Sequence, residues 1–123
     1  MATLDQFPQR DGLYRIMPDA VAVHDRYQDR VRMLDRVASE IWLRADGETS
    51  LRDIARDIAV LGNVPIDVMY QTASILAVLM NSEGILYSSN TPETLPYHLQ
   101  IPQEDQDLDR MLASMVAAGW LNQ

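Results

Sequence analysis

Cysteine and lysine are both absent from this chain, and all ten of its basic residues are arginine. Without cysteine there are no disulfides, no thiolate metal ligands and no cysteine nucleophile. Glycine is scarce, at five residues, and no glycine-rich loop able to cradle a phosphate can be drawn from them. His24 and His98 stand apart from any second ligand at metal-site spacing, so no metal or other cofactor is expected. The serines and aspartates lack a strand-turn-helix elbow and a histidine partner, so the chain is expected not to be an enzyme. No apolar run approaches the roughly 18 residues of a membrane span, and the start, MATLDQFPQRDGLYRIMP, lacks a basic segment leading into an apolar one. A cytoplasmic protein without membrane association is expected.

What is present fits one modest globular core. The 123 residues allow one domain with room for an appendage, and 47% hydrophobic against 23% charged residues is ordinary for such a chain. Charge is laid out unevenly. Residues 1–57 hold nine arginines against eleven acids, whereas residues 58–123 hold one arginine against seven. A net charge of −8 repels phosphate backbones, which disfavours nucleic acid as a partner. The arginines of the first half suit carboxylate recognition through their planar fork.

Periodicity divides the chain into elements. Residues 13–17, 20–24 and 30–34 are short runs of β-type alternation separated by the turn signals Pro18-Asp19 and 25–29, which predicts a three-stranded antiparallel meander. In the third run Val31 and Met33 share one face, and Arg30 and Arg32 the other. Val37, Ala38, Ile41, Trp42 and Ala45 then form a helical stripe, with Asp35 as N-cap and Gly47 as the expected stop. Ser50 and Asp53 approximate a capping box before a second stripe, Leu51, Ile54, Ala55, Ile58 and Ala59, which should end at Gly62. A third helix should begin at Pro65 and run to Ser82, with an exit at Gly84. From Ile75 to Met80 it is apolar on every side, which calls for cover on more than one side. Residues 88–103 show no period, and a fourth helix is expected from about 102 to 118.

Read in order, MLDRVASEIWLRADGETSLRDIARDIA and VPIDVMYQTASILAVLMNSEGIL resemble the pyrroloquinoline quinone biosynthesis protein D family. The resemblance rests on Met33-Leu34-Asp35, then Ala38, Ile41 and Trp42, then the Asp46-Gly47 turn. It continues through Thr49, Leu51 and Ile54 to Ile66-Asp67-Val68 and the exit Gly84-Ile85-Leu86, and it covers residues 13–87. Asp35 stands where the family more often has asparagine, and residues 88–123 run past the family's usual end.

The resemblance implies an α+β, winged helix-turn-helix-like recognition element in residues 1–87, for ribosomally synthesised and post-translationally modified peptides. Residues 88–123 are then a linker and C-terminal helical extension. Such an element has no catalytic activity. It captures the leader segment of a precursor peptide as an extra strand beside the third strand, against the third helix, and presents the peptide to a modifying enzyme, most often a radical SAM enzyme. The candidate leader-binding residues are Arg30, Val31, Arg32, Met33 and Leu34 of the strand, with Tyr70, Gln71, Ser74, Ile75 and Val78 of the helix.

Two other readings stay open. A structural or assembly subunit would use the tail residues Leu108, Met111, Leu112, Met115, Val116 and Trp120 to dock on the domain, a second copy or an enzyme, and an exposed strand edge permits a homodimer. A winged-helix transcriptional regulator is opposed by the third helix, which has no basic residue with which to hold phosphate.

Overall fold

The structure, a computed structural model, describes residues 3–121. The outermost residues of the two expected units, 1–2 and 122–123, lie outside the described residues. A short first strand, β1 (Phe7–Arg10), precedes an antiparallel meander of β2 (Tyr14–Ile16), β3 (Val21–Asp25) and β4 (Arg30–Leu34), in the order β2-β3-β4. The meander matches the three alternating runs of the sequence. Val21, Val23 and Asp25 of β3 point inward and are buried, and β4 pairs with them in the register Val21 to Leu34, Val23 to Arg32 and Asp25 to Arg30.

Three helices follow. Asp35 caps α1 (Arg36–Leu43) by accepting the Ala38 N–H at 2.9 Å. The helix stops four residues before the expected Gly47. Instead Asp46 gathers the amides of Glu48 and Thr49 on one carboxylate oxygen, and Gly47 takes a left-handed φ of 82° in the turn. Ser50 caps α2 (Leu51–Gly62) through the Asp53 N–H. The helix runs through Gly62, and Asn63 adopts the left-handed conformation that closes it. Pro65 precedes α3 (Ile66–Ser82), as expected.

Beyond α3 the structure departs from the sequence reading. Strand β5 (Leu86–Ser89), which pairs antiparallel with β1, runs into the start of the expected aperiodic connector 88–103, and that connector also holds the four-residue helix α4 (Tyr97–Gln100). The expected fourth helix begins later: a 3-10 turn occupies Gln103–Asp105, and α5 spans Leu108–Ala117 with Asp107 as its cap. The result is an α+β chain with one three-stranded antiparallel sheet, a second strand pair and several helices.

Trp42 sits at the centre, fully buried, with its indole N–H donating to the Ile85 carbonyl at 2.8 Å and the Tyr14 ring meeting it edge-on at 4.9 Å. Truncating a side chain so placed costs about 3–5 kcal/mol. Arg10 holds the tail to this centre. Its guanidinium donates to the carbonyls of Leu43, Leu99 and Gln100 at 2.5, 3.1 and 3.2 Å. The tail has an interior of its own, where buried His98 bonds Ser114 at 2.7 Å and Trp120 lies between the His98 ring and the Arg26 guanidinium.

Candidate functional site

Strand β4 lies at one end of its sheet and pairs with β3 alone. Which of its backbone groups are free follows from the register. The His24 N–H donates to Leu13 O at 2.8 Å, so His24 spends its main-chain groups on the β2 side. Because these groups alternate sides along a strand, Val21, Val23 and Asp25 use theirs on β4. Their partners Leu34, Arg32 and Arg30 are therefore committed to the ladder, and the N–H and C=O groups of Val31 and Met33 face the open edge. The side chains of Val31 and Met33 lie on the sheet's outer face, 62% and 60% exposed.

The inner face of β4 is charged at one end and apolar at the other. Arg30 and Arg32 come within 3.8 and 3.9 Å of the carboxylate of Asp25, which is fully buried. The other oxygen of Asp25 accepts the amides of Tyr27 and Gln28 and so fixes the β3–β4 turn. Arg32 also lies 3.8 Å from Glu83, just past the end of α3. The Nε of Arg32 and one Asp25 oxygen are buried without a hydrogen-bond partner. Leu34, buried, ends the strand.

The Arg32–Glu83 contact brings the C-terminal end of α3 beside β4. Stepping back from Glu83 at helical spacing gives Leu79, Leu76 and Thr72, one continuous ridge. The sequence-predicted α3 residues fall elsewhere. Gln71, Ile75 and Val78 lie on the outer face, opposite the buried Met69, Ala73, Ala77 and Met80. Tyr70 turns toward Arg52, whose guanidinium lies 5.5 Å from the ring, and Ser74 follows one turn on along that side. The five strand candidates are thus together, whereas of the helix candidates Ile75 alone adjoins the ridge. Thr72, Leu76 and Leu79 share the helix face that leads to Glu83, and their spacing in the sequence shows only that they share it.

Cover for the apolar third helix is incomplete. Ile75, Val78 and Leu79 are 55%, 57% and 51% exposed. Among the described residues no hydrogen bond, ion pair or ring contact runs from residues 90–121 to β4 or α3. The tail's polar ties lead instead to Arg10, Arg15, Arg26 and the turn around Gly47. The described residues contain no group of three or more His, Asp or Glu able to hold a metal, and no helix long and apolar enough to cross a membrane.

No family model, curated protein or solved structure matches the chain.

Proposed function

We propose that the chain is a non-catalytic recognition element that binds the leader segment of a ribosomally made precursor peptide and presents it to a modifying enzyme. A radical SAM enzyme is the partner that the family resemblance favours, in the cytoplasm and without a cofactor of the chain's own. In this reading α1 and α2, joined at Asp46-Gly47, form the helix-turn-helix of a winged-helix-like domain with the meander and α3, and the leader adds a fourth strand to the meander at β4.

The supporting observation is the open edge at Val31 and Met33, with the end of α3 held near the same strand by the Arg32–Glu83 contact. Two residues with free N–H and C=O groups offer up to four hydrogen bonds, each contributing a net ~1 kcal/mol. That falls short of the ~8 kcal/mol of micromolar binding, before ordering costs. Two leader side chains burying about 120 Å² each against Leu34, Leu76 and Leu79 would add roughly 6 kcal/mol at 25 cal/mol per Å². Electrostatic contacts at Arg30 and Arg32 would set register more than affinity, because Asp25 and Glu83 already lie beside them.

The test is calorimetric titration with the leader of a precursor peptide encoded beside this chain, together with amide NMR. Micromolar or tighter binding that perturbs residues 30–34 and the Thr72–Leu76–Leu79 ridge is expected. Absence of binding, or perturbation confined to the tail, would rule the reading out.

A further inference from the structure

The tail closes on the β3–β4 turn through one stack of side chains. Gly119, at a left-handed φ of 80°, turns the chain back after α5, and the Trp120 N–H donates to the Met115 carbonyl at 2.8 Å. This sets the Trp120 ring edge-on to His98, with 4.4 Å between centroids, and the Arg26 guanidinium lies 4.2 Å from the indole. Arg26 belongs to the turn and is held there by Asp11 at 3.4 Å and by the Tyr27 hydroxyl at 2.7 Å. Trp120 thus links the end of the tail to the turn.

The surroundings of His98 favour a neutral ring. The residue is fully buried. Its Nδ1 lies 2.7 Å from Ser114 Oγ, which also accepts the His98 N–H, and its Nε2 is buried with no hydrogen-bond partner. A protonated ring donates from both nitrogens, so it would leave a charged N–H unsatisfied in the interior. Gln106 donates to the His98 carbonyl, but its own oxygen does not bond Nε2. The charged groups close by are cations: Arg26 acts on the ring from the turn, and Arg10 donates to the carbonyls of the next two residues, Leu99 and Gln100. The acids are engaged elsewhere. Asp11 pairs with Arg26, and Asp107 caps α5, whose Arg110 lies over the Tyr97 ring.

We propose that His98 and Trp120 form a pH-sensitive latch: the neutral imidazole holds Trp120 against Arg26, and protonation of the ring expels Trp120 and frees the end of the tail from the β3–β4 turn. Opening gives the cation water for both nitrogens and distance from Arg26. Burial, then Arg26, set the ring's pKa below its ordinary 6.5. The latch is therefore closed above about 6.5 and opens as pH falls through the lower folded value. It rests on contacts between the tail and the turn, and does not depend on peptide binding at β4.

The test follows the two indole N–H signals and the His98 ring by NMR on the full chain, from pH 7.5 to 5. Trp120 is expected to shift toward the position of a solvent-exposed indole with the same midpoint as His98, while Trp42, bonded to the Ile85 carbonyl, stays in place. His98→Gln, neutral at every pH, should hold the Trp120 signal constant over that range. Arg26→Gln changes a partly exposed side chain and removes a cation beside the ring, so it should raise both midpoints together. A His98 ring that stays neutral to pH 5, a Trp120 signal that is static while His98 titrates, or midpoints that differ would overturn the proposal. So would a Trp120 shift that persists in His98→Gln, or one that Trp42 shares.

Discussion

The Nε of Arg10 donates to the carbonyl of Leu99 across 89 positions of sequence, at 3.1 Å. With the bonds to Leu43 and Gln100, this one side chain ties the first strand, the end of α1 and the tail together. Arg10→Met keeps most of the aliphatic volume and removes all three donors. A loss of about 3 kcal/mol is expected, near 1 kcal/mol for each bond. Urea unfolding measures the loss, and limited proteolysis should cut residues 90–121 first.

Gly47 makes a second tie to the tail. Its φ of 82° already excludes ordinary side chains, and an added Cβ would lie 2.2 Å from the carbonyl oxygen of Glu93, whose own N–H donates to Gly47 O. Gly47→Ala should therefore destabilise by more than the ~1 kcal/mol of left-handed strain alone, because backbone must move. Thermal melting should show this, with a much smaller loss for Gly62→Ala, where the nearest atom is a Val64 side-chain carbon at 3.5 Å.

The tail should loosen on mild acidification. Burial, and then the nearby Arg26 charge, lower the His98 pKa below its ordinary 6.5. As pH falls, the unfolded chain takes up the proton before the folded one does. The stabilisation is complete above about 6.5 and is lost as pH falls from there through the lower folded value. Unfolding free energy measured between pH 7.5 and 5.5 should decline, and His98→Gln should flatten that decline. Asp11 works with the opposite sign and in a lower window. Burial raises its pKa from 3.8, so its contribution is present at the lowest pH and is lost as pH rises.

The two sides of β4 should respond differently to proline. Arg32→Pro removes a ladder donor to β3 and should lower stability markedly. Val31→Pro removes an N–H that faces the open edge, so the circular dichroism melt should change little. Under the proposed function, leader affinity should nevertheless drop at least tenfold in Val31→Pro. A Val31→Pro variant that unfolds would show the register assignment to be wrong.

Much of the central fold was legible because its signals are local. The alternation in residues 13–34, Asp35 and Ser50 as caps, and Pro65 at the start of α3 each act within a few residues of themselves. Pairing of β1 with β5 was not legible: Phe7-Pro8-Gln9-Arg10 contains a proline and no clear alternation, and its partner lies far along the chain. The tail was legible only as apolar residues at helical spacing.

The sequence by itself determined that Arg30 and Arg32 share one strand face and that residues 75–80 of the third helix are apolar on every side, since both follow from the fixed periods of strand and helix. Only the tertiary structure decided that the arginines meet a buried Asp25, that Val31 and Met33 carry the free backbone groups, and that Glu83 at the end of α3 lies beside Arg32. Periodicity sets which residues lie side by side on an element. Which of its faces is covered depends on register and on contacts between distant segments, and these form only when the chain closes on itself.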